Sequence, residues 1–194
     1  MNKLVMKKDL FGKLASRNKE NISNISFSLM VFIMHIMEFF VNYYSKKFKT
    51  FAVKSDQIVI DYGCGPGMYI KDASIAVGNK GKVIAVDIHP LAIKKVRKII
   101  TKYEITNVEV VMAKGYHTFI KKKTADLIYA IDIFHMIEKP KYFLAELSRL
   151  IKKDGFIIIG KEHQDENETR EIIEKYSNLQ VLHENQFHVK CCKI

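Results

Sequence analysis

The chain predicts an α/β fold: a doubly wound, mostly parallel sheet of seven strands with the last strand reversed, preceded by a helical extension. Three observations carry that expectation. From Ser55 onward, short β-branched runs alternate with stretches of helical period. Those runs are apolar on both faces, as strands buried in a parallel sheet are. The final two runs stand so close together that they must form an antiparallel hairpin.

Taken in order, residues 1–24 are polar and basic, and no small-residue cleavage site follows the apolar segment, so no secretory signal is expected. Next comes "ISFSLMVFIMHIMEFFVNYYSKKFKTF", apolar nearly all round from Ile25 to Tyr44 and interrupted by His35, Glu38 and Asn42. About 20 apolar residues can cross a bilayer. A central histidine and a glutamate, however, each cost on the order of 2–3 kcal/mol there. A helix packed over the main domain, or pairing in a homodimer, is therefore preferred. Membrane-surface contact by residues 25–49, with Lys46, Lys47 and Lys49 at its end, is the alternative, and a true span ranks last.

The strands follow as "QIVIDYG", "GKVIAVDI", "NVEVVMA", "ADLIYAID" and "GFIIIGKE". Between them, "PLAIKKVRKIITKYE" puts Leu91, Ile93, Val96, Ile99 and Ile100 on one face and Lys94, Lys95, Arg97 and Lys98 on the other. Pro90 suits a first helical turn, and Gly155 suits a helix stop after "KPKYFLAELSRLIKKDG". A polar helix near Glu166–Tyr176 precedes the hairpin "LQVLHE" and "FHVKCCKI". The division is thus residues 1–50 as an extension or lid and 51–194 as one domain.

A chain of 194 residues is long enough to bury a core without a disulfide framework. Its cysteines, Cys64, Cys191 and Cys192, are an odd set with no zinc spacing, which predicts a reducing, cytoplasmic setting and no metal. The net charge of +11 raises nucleic acid or an anionic membrane as partners. The lysines are scattered, though, and only Arg17, Arg97, Arg149 and Arg170 join them, which favours a solvated basic surface over a functional patch.

The chemistry concentrates in "VIDYGCGPGMY", Val59 to Tyr69. A GxGxxG dinucleotide loop fails, because the third glycine position holds Met68. A GxxxxGK[ST] phosphate loop fails too, since no Lys-Ser/Thr follows Gly67. What remains is Asp61-x-Gly63-x-Gly65-x-Gly67, an acid at a strand end facing a loop of bare backbone amides. That suits a zwitterion whose ammonium faces Asp61. Asp87 ends the next strand, where an acid accepts hydrogen bonds from ribose hydroxyls, and Ile88 can lie flat on a purine. Amino acid, ribose and adenine together describe S-adenosylmethionine.

At this point the chain resembles the class I S-adenosylmethionine-dependent methyltransferases of the small, single-domain type, from about Phe51 to Ile194. "VIDYGCGPG" looks like that family's first motif, "GKVIAVDIHPLAIKKVRK" like its second strand and helix, "ADLIYAIDIFHMI" like its fourth-strand motif and "KKDGFIIIG" like its fifth strand. The resemblance implies a Rossmann-like sheet ordered 3-2-1-4-5-7-6. It also implies that Asp61, Gly63, Gly65 and Gly67, with Cys64 inside the loop, hold the methionine part. Asp87 and Ile88 would hold ribose and adenine, and Ile131 and Asp132 would flank the sulfonium. Where relatives place an acidic or polar residue after the third strand, this chain has Ala113 and Lys114, so adenine contact there is backbone-only or Lys114 points to solvent.

Methyl transfer from a sulfonium needs alignment and exclusion of water, and a base only where the acceptor proton is hard to lose. His135, three residues past Asp132, is the best-placed candidate base, and a purely structural loop histidine is the equal alternative. His163 is the second candidate. Tyr69, Tyr116 and His89 can line the site, with packing roles favoured for each. No [DNS]PP[YFW] loop follows the fourth strand, and no cysteine is placed for attack on a pyrimidine. The expected activity is methylation of a small-molecule acceptor under a Phe- and Met-rich lid. RNA methylation and a non-catalytic cofactor-binding or membrane-surface module are the alternatives.

Overall fold

The computed structural model describes residues 23–164 and 167–194. The basic segment before Ser23, and Glu166 at the start of the expected polar helix, lie outside them. Seven strands form one sheet in the order β3-β2-β1-β4-β5-β7-β6. They are β1 (Ile58–Tyr62), β2 (Lys82–Asp87), β3 (Val108–Met112), β4 (Ala125–Ala130), β5 (Ile151–Gly160), β6 (Leu179–Glu184) and β7 (His188–Lys193). The first five pair in parallel, and β7 is antiparallel to both β5 and β6, so only β7 is reversed. Asn185 closes the hairpin by accepting from the amides of Phe187 and His188 through Oδ1.

Both sheet faces are covered. Helices α1 (Asn24–Val41), α2 (Tyr43–Lys49), α3 (Ile70–Val77) and α4 (Pro90–Lys102) lie on one side. Helices α5 (Pro140–Leu150) and α6 (Glu168–Tyr176) lie on the other. Each face buries its own cluster: Val59, Val83, Leu127 and Ile158 under α2–α4, and Ile60, Ile128 and Ile157 against Leu147 of α5 and Ile173 of α6. Alternate strand residues therefore feed opposite cores, which is why these strands read as unbroken apolar runs.

Two expectations need correction. The helix before β5 stops at Leu150, and Gly155 sits within β5, not at a helix end. Pairing jumps from Ala125↔Ile151 to Leu127↔Phe156, so the intervening residues loop out of register. A Cβ on Gly155 would stand 2.7 Å from the Ile151 side chain and 3.0 Å from the Asp126 carbonyl, and this close approach is what requires glycine. Secondly, the helix expected between every pair of parallel strands is missing between β3 and β4. Residues 113–124 are held instead by a polar staple. The buried Glu146 carboxylate accepts from the Thr118 amide and hydroxyl (2.8 Å each) and from Arg149 Nε (2.7 Å), while Arg149 Nη1 donates to the Ile120 carbonyl (2.8 Å). Burial alone would raise the Glu146 pKa, but those donors hold it below the ordinary carboxylate value.

The helical extension folds back on the domain. Asn42, in the left-handed region at φ 46°, breaks α1 from α2. Phe27 and Val31 of α1 pack on Ala92, and Phe27 stacks on His89 with centroids 4.5 Å apart. The opposite side of α1 presents Ile25, Leu29, Phe32 and Ile36, all exposed. Any membrane-surface contact or homodimer pairing through this helix would rest on that stripe. Among the described residues, no helix is long and apolar enough to cross a membrane.

Candidate active site

The C-terminal ends of β1, β2, β4 and β5 bring four carboxylates to one edge of the sheet: Asp61, Asp87, Asp132 and Glu162. Because β7 is reversed, its first residue, His188, pairs with Gly160 and joins the same edge.

The β1–β2 half is built from the glycine loop. Asp61 is 2% exposed and its Oδ2 has no hydrogen-bond partner among the described residues. Its register neighbour is Tyr129. Burial first, and the neighbouring Asp87 second, push its pKa well above the usual carboxylate value. A buried carboxylate without a cation is costly, so this position is chemically incomplete and fits an ammonium. The Asp87 carboxylate accepts from the Gly65 amide through Oδ2 and the His89 amide through Oδ1, 2.8 Å each. Burial raises its pKa, and those two amides partly offset the rise.

The loop amides are not bare, contrary to the expectation. Those of Gly63 and Cys64 donate to the Val86 carbonyl (2.8 and 2.9 Å), and that of Gly67 to the Cys64 carbonyl (3.0 Å). The glycines also divide by role. A Cβ on Gly63 would stand 2.6 Å from Ile133, and one on Gly67 2.9 Å from Ile99, whereas nothing lies within 4 Å of one on Gly65. All three have positive φ. Gly63 and Gly67 thus let the protein close on itself, and Gly65 alone faces open space. Cys64 is buried, its thiol pKa raised by burial and by the two aspartates. Ile88, 37% exposed beside Asp87, offers an apolar surface at the rim. Ala113 is buried and its amide donates to the Asp87 carbonyl at 3.0 Å, while Lys114 is exposed to solvent.

The β4–β5 half is covered by α2. Lys47, 5% exposed, reaches across the strand ends to form an ion pair with Glu162 and stands 3.5 Å from Asp132 Oδ2. Lys47 therefore cannot serve as part of a basic flank for lipid, as Lys46 and Lys49 can. Burial would lower its pKa, but Asp132 and Glu162 together hold it above the ordinary lysine value. Glu162 is raised by burial and by Asp132, against the pull of Lys47. Asp132 has a left-handed backbone, φ 60°, and so does His163, φ 65°. Non-glycine residues held in that region cluster at functional sites. Ile131, by contrast, is buried in the core cluster under α2–α4.

The candidate bases meet: the rings of His135, in the short 3-10 turn Phe134–Met136, and His163 lie 4.7 Å apart. The other candidates have structural partners. His89 caps α4, its Nδ1 accepting from the Leu91 amide at 3.2 Å. The Tyr116 carbonyl accepts from the Tyr62 hydroxyl at 2.7 Å, and its own hydroxyl accepts from the Lys139 amide at 3.1 Å. Tyr69 belongs to an aromatic cluster with Tyr44, Phe48, Phe51 and Tyr129, centroids 5.5 to 6.3 Å from its own. Sequence reasoning missed Lys47, Glu162 and His188 as site residues. Only "GKE" at the end of the fifth strand gave a signal for Glu162.

A family model described as "Methyltransferase domain" matches residues 53–191. Among curated proteins, the chain is 32% identical over 107 residues to a "Probable cobalt-precorrin-6B C(15)-methyltransferase (decarboxylating)" of Saccharolobus solfataricus, covering 55% of this chain and 53% of that protein. It is 27% identical over 130 residues to a "Ribosomal RNA large subunit methyltransferase E" of Bdellovibrio bacteriovorus, covering 62% of this chain and 65% of that one. The chain thus spans about half to two thirds of the length of these relatives. Among solved structures, a SAM-dependent methyltransferase from Aquifex aeolicus superposes with TM-score 0.71 at 24% identity, over 96% of this chain and 98% of that one, which shows a shared fold.

Proposed function

The chain belongs to the methyltransferase-domain family, and from that premise we propose that it transfers a methyl group from S-adenosylmethionine to a small-molecule acceptor. The observation that carries the cofactor assignment is Asp61, a buried carboxylate with an unpartnered oxygen beside a loop whose Gly65 faces open space. Asp61 binds the ammonium of the methionine part. Asp87, whose oxygens keep lone pairs beyond the two amides they accept from, binds the ribose hydroxyls. Ile88 covers a face of the purine. The bound cofactor supplies an already activated methyl group, and the chain's task is to orient the acceptor and exclude water. The cover that α2 provides over the β4–β5 half supports a small acceptor.

Calorimetry with S-adenosylhomocysteine tests this. Wild type should bind it, and Asp87→Ala should bind at least about tenfold more weakly, the equivalent of one charge-assisted hydrogen bond. Equal affinity, or no binding by folded wild type, overturns the assignment. One observation favours RNA as a second acceptor class: a groove along α4 is lined by Lys94, Arg97, Lys98 and Lys102. RNA held there would dissociate steeply with rising salt, and salt-independent filter binding would remove that reading.

A further inference from the structure

Asp132 and Glu162 converge on Lys47, two carboxylates on one ammonium. The second carboxylate oxygen, Glu162 Oε2, is buried and has no hydrogen-bond partner among the described residues. Two further side chains, each more than nine-tenths buried, stand in the field of Glu162 with polar atoms unspent: the Tyr69 hydroxyl and His188 Nδ1.

The state of His188 follows from its neighbour. Asn185 Oδ1 accepts from two backbone amides, so the atom 3.3 Å from His188 Nε2 is the Asn185 amide nitrogen, a donor. Nε2 must accept, which places the proton of the neutral ring on Nδ1. His188 is therefore a donor here and not a base. Burial holds its pKa below the ordinary histidine value, against the attraction of Glu162, which keeps it neutral.

We infer that the Asp132–Glu162 pair is the recognition site for an aliphatic amine, with Glu162 binding the ammonium and taking its proton, and with Lys47 as a resident cation that weakens its hold. This rests on the methyl-transfer reading above. The incoming R–NH3+ donates to Glu162 Oε2, which has no hydrogen-bond partner among the described residues. One proton passes from nitrogen to that oxygen and later to water. The freed lone pair forms the C–N bond as the S–CH3 bond breaks, and the breaking bond's electrons stay on sulfur. The product leaves as R–NH2–CH3+. Tyr69 and His188 are left to hydrogen-bond another heteroatom of the same molecule.

The test is ligand-observed NMR with n-butylamine, and n-butanol as its uncharged counterpart, on protein saturated with S-adenosylhomocysteine. Wild type should bind the amine and discriminate against the alcohol. Glu162→Gln should weaken the amine by about tenfold or more while leaving the alcohol unchanged, and Glu162→Asp should recover part of the loss. Lys47→Met should tighten the amine by about tenfold, because a like charge a few ångströms away is gone. Equal binding of amine and alcohol, or an amine affinity indifferent to Glu162→Gln, overturns the inference. If Lys47→Met does not fold, the two Glu162 variants decide. Failure of wild type to bind S-adenosylhomocysteine sinks the methyl-transfer reading itself. Normal cofactor binding without amine discrimination sinks only this inference.

Discussion

The two halves of the strand edge solve opposite electrostatic problems. Around β1 and β2, a buried Asp61 and a half-buried Asp87 stand close together with two backbone amides and, among the described residues, no lysine or arginine paired to either, and Asp61 keeps an oxygen unused. Around β4 and β5, Asp132 and Glu162 share a lysine delivered by α2 from outside the sheet. The first half takes no side-chain counter-ion from the described residues, and the second takes Lys47 from the chain itself. Removing a charge should therefore help the fold in one place and harm it in the other.

The largest expected effect is on the β4–β5 half. Lys47→Ala leaves two carboxylates facing each other under α2, and breaking a buried pair by deleting one partner costs about 3–5 kcal/mol. Denaturant unfolding measures it. Glu162 then titrates more readily, so the loss should shrink in acid. The sign follows from Glu162 being raised above its ordinary value: the folded state holds that proton more tightly, and stability is present at low pH and declines as pH rises through the raised value. A deficit independent of pH would mean that Lys47 acts by packing alone.

Asp61→Asn probes the β1–β2 half and should move two observables in opposite directions. Affinity for S-adenosylhomocysteine should fall by about a hundredfold, near 3 kcal/mol, as the charge partner of the ammonium disappears. The ligand-free protein should melt higher than wild type at neutral pH, because an unpaired buried charge has gone. Asp61 is also raised in the fold, so wild type regains stability as pH falls toward the ordinary carboxylate range, and the gap between the two proteins should close there. A variant that melts lower at neutral pH would place a cation beside Asp61 and break the contrast.

The same contrast explains what could be read in advance. The half proposed for the cofactor is encoded locally: Asp61, the three glycines and Asp87 fall within 27 residues, so their places at the strand ends are readable from spacing. The other half depends on the fold's closure. Lys47 comes from the extension, Glu162 from the end of β5, and His188 arrives only because β7 runs backwards. Lys47 was legible merely as one of three basic residues after an apolar segment, since nothing local tells a buried lysine from a solvated one. The helix missing between β3 and β4 was hidden for the same reason. Its substitute, Glu146 bonding Thr118, joins residues 28 apart. His135 and His163 were each readable as strand-end histidines, but the approach of their rings to 4.7 Å was not.

The smallest effects separate the glycines, which the sequence presents as equivalent. Gly67→Ala places a Cβ 2.9 Å from Ile99 and 3.1 Å from Val96, at φ +85°, so α4 must shift as well as the loop strain. Left-handed strain costs roughly 1–2 kcal/mol by itself, and overpacking adds about 1–3 kcal/mol. Gly65→Ala, at φ +50° with nothing within 4 Å, should carry only the strain, about 1 kcal/mol in a melting experiment. Its larger effect should fall on S-adenosylhomocysteine, because the new methyl stands where a ligand would approach the backbone. Gly67→Ala should therefore lose mainly stability and Gly65→Ala mainly affinity. If the two variants lose both in the same proportion, Gly65 belongs with the glycines that serve packing, and the open side of the loop is not where the ligand lies.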